Sequence, residues 1–328
     1  MVYLLLLIGL ALILAGANFL TEGAAGLARR LHMSDFLIGL TIIAIGTSMP
    51  ELIVSLLSAI DGKTDMAIGN VIGSNLFNGF VILGLCALIR PIGYTPQNIR
   101  RDIPFGIAAA LLLIAAALPF GAEGSIGRAE GIVLLLAYAG FLWSTIRCSE
   151  KPESSAETSA EAAKKAGASA GTSAAAAKLL PLWRVALMVV GGLTALVGGG
   201  ELVLDSAVKI ARSWGVSDAF ISITLLAGGT SLPELASSVV SLLKGRPAMA
   251  LGNVLGSNIT NLLLILGLSA SVHPLSTTGI TALDFGMLLL SALLLLLTAF
   301  AFRRRELDRI EGALFLAIYL TYIVVLLR

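Results

Sequence analysis

The chain is written in apolar blocks of about 20 residues separated by short polar breaks, the length at which a helix crosses a hydrocarbon core. Such blocks cannot all be buried in a water-soluble fold of 328 residues, of which 57% are hydrophobic and 13% charged. A soluble domain carries about 25% charged residues, and the mean hydropathy here is +0.95. The expected fold class is therefore an all-α polytopic membrane protein. A transmembrane β-barrel is excluded, because its strands would alternate in polarity over about 10 residues. A net charge of +2 leaves no basic surface for nucleic acid. Cys86 and Cys148 have no CxxC partners, so neither a disulfide framework nor a thiolate metal site is expected. His32 and His273 fall in polar breaks and read as solvated loop residues. No nucleophile–base pair or phosphate-cradling loop appears, so neither an enzyme nor a bound cofactor is expected.

Ten spans follow from the blocks: 2–27, 36–60, 66–89, 103–121, 130–147, 182–205, 219–243, 249–272, 282–302 and 310–327. The first lacks a basic leader and an A-x-A-like cleavage site, so it reads as a helix rather than a signal peptide. Seventeen of the 22 Lys and Arg residues fall in alternate breaks, including the run RRRELDR at 303–309. The positive-inside rule places those breaks in the cytoplasm and both termini outside. The expected location is the cell (inner) membrane, with the lipid bilayer as partner. Residues 148–181 are rich in Ala and Ser, bury nothing and read as a flexible cytoplasmic linker between 1–147 and 182–328.

Residues 34–78 and 217–261 align without a gap at a constant offset of 183, with 23 of 45 positions identical. Each copy lies in a set of five spans. Five is odd, so the second copy enters the membrane from the opposite side. Ten helices in two inverted five-helix repeats are therefore expected, with a site between the repeats near the midplane.

The polar residues of the repeat support that depth. GTSMPE (46–51) and GTSLPE (229–234) straddle the midpoints of their spans, and Asn78 and Asn261 lie at the midpoints of the next. Glu51 and Glu234 are the only carboxylates near mid-membrane. A charge there costs about 2.5–3.5 kcal/mol on insertion scales, and no Lys, Arg or His lies at matching depth. Protonation or a bound cation must compensate, and the neighbouring oxygen donors favour the cation. Pro50 and Pro233 should break their helices and free carbonyls around Ala44, Gly46 and Thr47 and around Ala227, Gly229 and Thr230. With the hydroxyls of Thr47, Ser48, Ser74, Thr230, Ser231 and Ser257, these form a hard-oxygen pocket suited to Ca²⁺ and Na⁺. Gly69-x-x-x-Gly73 and Gly252-x-x-x-Gly256 equally suit close helix packing. Glu201 and Asp205 read as solvated residues near the outer interface.

The paired stretches GTS-x-PE and GN-x-x-GSN resemble the two α-repeats of the calcium/cation antiporter superfamily, most closely its prokaryotic sodium/calcium exchangers. The resemblance implies Na⁺/Ca²⁺ antiport by alternating access, with both ions as transported substrates and calcium extrusion as the net effect. It implies a calcium site of the Glu51 and Glu234 carboxylates with the Thr47 and Thr230 carbonyls. Sodium sites would draw on Ser48, Ser74, Ser231 and Ser257 and on the carbonyls of Ala44 and Ala227, with Asn78 and Asn261 as further polar positions. Potassium-dependent relatives carry aspartate where this chain has Asn261. The proton-coupled branch tends to carry an acid where it has Gly73 and Gly256. The first departure argues against a potassium requirement, and the second favours Na⁺/Ca²⁺ exchange over the rival Ca²⁺/H⁺ or other divalent-cation antiport; a cation channel is disfavoured by inverted symmetry.

Overall fold

The computed structural model describes residues 1–117, 124–148, 180–215, 227–300 and 305–326. Most of the expected linker, and residues 217–226 of the second repeat copy, lie outside the described residues. Among them the chain is helical, with α1 (Val2–Leu31), α4 (Thr64–Ile89), α6 (Arg128–Cys148), α7 (Leu182–Ser213), α10 (Pro247–Val272) and α12 (Arg309–Leu326) long and apolar enough to cross a membrane. A seventh crossing is a bent pair, α2 (Asp35–Thr47) and α3 (Met49–Ile60), which meet at 45°. The shorter helices are α5 (Ile103–Ala117), α8 (Ala227–Gly229), α9 (Leu232–Leu243) and α11 (Ala282–Thr298).

Local chemistry sets the element ends. Ser34 caps α2 by accepting from the Leu37 N–H (3.2 Å). Thr281 and Asp284 close a reciprocal capping box on α11, and the Tyr322 hydroxyl donates to the other Asp284 oxygen at 2.6 Å. α1 ends in a left-handed residue, His32 (φ 54°), and α7 runs to its counterpart Gly215 (φ 77°), 183 positions later. Inside α4 and α10 the helical ladder widens to π geometry at Phe77–Ile82 and Thr260–Ile265, again 183 apart. Such bulges re-aim side chains and recur at functional sites.

α4 and α10 form the centre, with 67% and 89% of their apolar windows buried. α1 and α7 pair along their length in antiparallel fashion: Gly9 lies against Gly199 and Val203, Gly16 against Gly192 and Leu196, and Gly23 against Met188 and Val189. Their outer faces, including Leu4, Leu7, Leu187 and Val190, are exposed, as a lipid-facing surface requires.

Partners are exchanged between the halves throughout. Gly84 of α4 abuts Gly312 of α12, and its counterpart Gly267 of α10 abuts Gly131 of α6. Two antiparallel two-residue bridges, absent from the all-helical expectation, repeat the exchange: β1 (Ile92–Gly93) with β4 (Glu306–Leu307), and β2 (Ser125–Ile126) with β3 (Leu275–Ser276).

The α1–α7 contact makes a direct prediction. A Cβ built on Gly16 would lie 2.8 Å from the Gly192 carbonyl oxygen, whereas one on Gly191 meets nothing within 4 Å. Gly16→Ala should destabilise the protein by about 1–3 kcal/mol, read as a lower thermal midpoint in detergent. Gly191→Ala should be neutral or slightly stabilising.

Candidate functional site

At Ser48 the helical ladder is interrupted, with φ −81° and ψ 8°, and at Ser231 with φ −87° and ψ 9°. Pro50 and Pro233 sit in the first turns of α3 and α9, where a missing N–H costs nothing and the fixed φ suits helix initiation. Across the first break, the Ser48 N–H donates to the Ala44 carbonyl (3.1 Å) and the Leu52 N–H to the Ser48 carbonyl (3.0 Å). The Leu235 N–H donates to the Ser231 carbonyl (3.0 Å) in the same way. The Ala44 carbonyl is not freed as expected: it also accepts from the Thr47 hydroxyl at 3.4 Å. Ala227 opens the short turn α8, directly after the undescribed residues 216–226.

Both carboxylates are fully buried at these breaks. The Ser48 hydroxyl donates to Glu234 Oε1 (3.0 Å), and the Ser231 hydroxyl donates to Glu51 Oε1 (3.0 Å). Each glutamate is thus held by the serine of the opposite repeat. The Glu51 and Glu234 Oε2 atoms have no partner. None of the ion pairs among the described residues involves either glutamate. Two like charges in a low-dielectric setting, each with an uncommitted oxygen, call for a cation or a proton.

The remaining expected residues converge on the same break. Ser74 and Thr230 exchange a hydroxyl hydrogen bond at 3.3 Å, and Ser257 is buried with its hydroxyl unpartnered. Asn78 and Asn261, at the π turns, are fully buried with both amide atoms unpartnered. Their turns pack crosswise, Phe77–Ile82 on α9 and Thr260–Ile265 on α3. Buried amides are rarely left so, and groups of this kind are where a ligand belongs.

Two positions were not singled out in the sequence as site residues. Asn70 donates to the Glu51 carbonyl (3.4 Å) and the Ser55 hydroxyl (3.0 Å), and accepts from the Thr230 hydroxyl (3.5 Å). Its counterpart Asn253 donates to the Glu234 carbonyl (3.3 Å) and to the Ser237 and Ser238 hydroxyls (both 2.9 Å), and accepts from Thr47 (3.4 Å). Each asparagine ties the carboxylate-bearing helix to the next helix of its repeat and to the threonine of the other. Their repetition in both GN-x-x-GSN copies was the available signal.

Among the described residues no group of three or more His, Cys, Asp or Glu could hold a metal. What is assembled instead is a dyad of carboxylates with neutral hydroxyl, amide and carbonyl oxygens. That donor set suits hard, weakly held cations that must be released again.

Comparison with known proteins agrees. The family model described as sodium/calcium exchanger protein matches residues 1–147 and 184–328. The putative antiporter CaxA of Alkalimonas amylolytica is 34% identical over 326 residues, covering 96% of this chain and 95% of that protein. The sodium/calcium exchanger MaX1 of Methanosarcina acetivorans is 33% identical over 350 residues, covering 99% and 98%. A solved structure of the sodium-calcium exchanger NCX_Mj, soaked with 10 mM Na⁺ and 10 mM Sr²⁺, superposes with a TM-score of 0.80 at 30% identity, covering 98% of this chain and 97% of that one.

The asparagine bracket is testable on its own. Asn253→Leu strands two buried serine hydroxyls and should cost about 1–3 kcal/mol, seen as a lowered thermal midpoint in detergent. An unchanged midpoint would contradict a bracing role.

Proposed function

The chain belongs to the sodium/calcium exchanger protein family, and from that membership we propose that it exchanges Na⁺ for Ca²⁺ across the membrane by alternating access. The observation that carries the reading is the pair of buried carboxylates, Glu51 and Glu234, each with one oxygen uncommitted and, among the described residues, no ion pair to a cationic side chain. Two carboxylates balance one Ca²⁺ or two Na⁺. Either load relieves the buried charge, whereas the empty, doubly negative pocket resists rearrangement in a low-dielectric core. That difference couples the two ions.

In this reading Ca²⁺ binds the Glu51 and Glu234 carboxylates with the Thr47 and Thr230 carbonyls. Na⁺ uses Ser48, Ser74, Ser231 and Ser257 with the Ala227 carbonyl, and with the Ala44 carbonyl once the Thr47 hydroxyl turns away from it; Asn78 and Asn261 supply neutral amides. The chain forms ten spans in two inverted repeats, 1–147 and 182–328, joined by the cytoplasmic linker 148–181, with both termini outside the cell membrane. The antiparallel pairing of the counterpart helices α1 and α7 supports the inversion, as does the exchange of partners in the glycine contacts and strand bridges. The Lys and Arg distribution supports the orientation. α1 and α7 move as a pair against a core of α2–α4 and α8–α10, and with an inward sodium gradient the net effect is calcium extrusion.

Calcium uptake into Na⁺-loaded proteoliposomes, against K⁺-loaded and pH-jumped vesicles, tests the coupling: uptake driven by Na⁺ alone is expected. Glu51→Gln and Glu234→Gln should each reduce it to the background of empty vesicles while the protein still inserts, since an amide is easier to bury than a carboxylate. Retained sodium-driven flux in either variant would overturn the site.

A second test concerns the amides. Asn261→Asp adds a third carboxylate, and like charges this close cannot all stay ionised, so one pKa must rise or another cation must enter. Transport by the variant should become pH-dependent between about pH 6 and 9, or responsive to K⁺. The parent should need no K⁺. A variant indistinguishable from the parent would place Asn261 outside the pocket.

A further inference from the structure

The two repeats are not equally closed. On α9, Leu232, Ala236 and Val240 form one face, and they pack against the cluster of α1 residues around Ile13, Ala17, Leu20 and Ala24. The same face of α3 is Met49, Ile53 and Leu57, each 183 positions earlier. These are exposed by 40%, 47% and 55%, and α7 makes no comparable packing along α3.

The polar contacts are equally one-sided. Where α1 meets α9, the buried Thr21 and Ser241 hydroxyls share a hydrogen bond at 3.2 Å. Lys244 Nζ donates to Glu22 Oε1 at 2.7 Å and to the Asn18 carbonyl at 3.3 Å. At the counterpart positions stand Leu204 and Ser58, then Asp61 for the lysine, Asp205 for Glu22 and Glu201 for Asn18. Glu22 lies beside Gly23, which faces Met188 and Val189, whereas Asp205 lies beside Val203, which faces Gly9. The two sets thus sit at opposite ends of the α1–α7 pair, about 22 Å apart at 1.5 Å per residue. Three cations lie near the acidic end: Lys63, already paired with Asp61 at 3.5 Å in an exposed position, and Lys209 and Arg212, one and two turns beyond Asp205, of which Arg212 is also engaged.

We infer that Met49, Ile53 and Leu57 are the seat that α7 occupies in the opposite access state, and that Lys244 makes the two states unequal. In the state seen here, α1 is latched to α9 by an attractive contact. In the opposite state the latch is broken, and the equivalent position offers Asp61 to Asp205 and Glu201, an acid where the other end has a lysine. The chain therefore rests with the Lys244 end shut and the Asp61 end open. The inference rests on the proposed movement of α1 and α7 against the core, and it does not depend on which ions are carried.

Spin labels on Ile60→Cys and Trp214→Cys, in a chain with Cys86 and Cys148 replaced by serine, report the α3–α7 separation without any transport step. In lipid nanodiscs with saturating Na⁺ and no Ca²⁺, where the filled site is free to pass between states, the parent should show chiefly the long distance. Lys244→Asp removes the latch and makes the ends alike, and Asp61→Lys installs a latch at the open end. Each should raise the ratio of short to long distances by about threefold or more, the range of a partly exposed ion pair. Lys244→Arg should match the parent. Unchanged distributions in both charge variants, or a shift towards the long distance, would overturn the inference. A protein that redistributes as expected but carries no sodium-driven calcium would overturn the proposed function and leave the gate standing.

Discussion

Everything in this molecule is arranged around two negative charges that the membrane cannot tolerate bare. Glu51 and Glu234 are fully buried, and among the described residues no lysine, arginine or histidine is paired with either. An uncompensated carboxylate at this depth is costly enough to be eliminated unless it does something. A permanent Lys or Arg partner would satisfy the charge and end the chemistry. A mobile cation satisfies it only while bound, so the protein's stability is tied to its load.

The structure surrounds those carboxylates with neutral oxygen donors. The helix breaks at Ser48 and Ser231 bring hydroxyls to the carboxylates, and the prolines in the following turns let the helices restart at once. The crosswise bonds of Ser48 to Glu234 and Ser231 to Glu51 make the site a property of both repeats, so it cannot form within one. Asn70 and Asn253 fix the carboxylate helices from behind. Small residues at Gly9, Gly16, Gly192 and Gly199 let α1 and α7 approach closely as a pair.

Much of this was legible in the sequence, because the constraints act through position along a helix. The 183-residue offset is written in the repeated residues, and the breaks at the GTS segments follow from proline chemistry. Features that depend on how helices meet were not legible. The serine that each glutamate contacts belongs to the other repeat, and spacing cannot show that. Asn70 and Asn253 sit in glycine-rich stretches that read as packing motifs until the contacts to Glu51 and Glu234 are seen. The Ala44 carbonyl was expected to be free, yet one residue of helical ladder survives further than proline alone dictates. The strand bridges are two residues long, too short to leave a period in the sequence. Lys244 and Asp61 read as ordinary loop charges until the repeat offset sets them at equivalent places.

The central claim is that a cation, and not a protein charge or a proton, completes the Glu51–Glu234 dyad. Crystals of the parent protein soaked in Ca²⁺, or in Sr²⁺ as a stronger anomalous scatterer, and measured beside crystals held in a chelator without Na⁺, test it directly. The account predicts one anomalous peak between the two Oε2 atoms in the soaked crystals and none in the chelated ones. Loaded crystals with no peak at the dyad, or with the ion bound elsewhere and the carboxylates paired to each other through a short hydrogen bond, would contradict it.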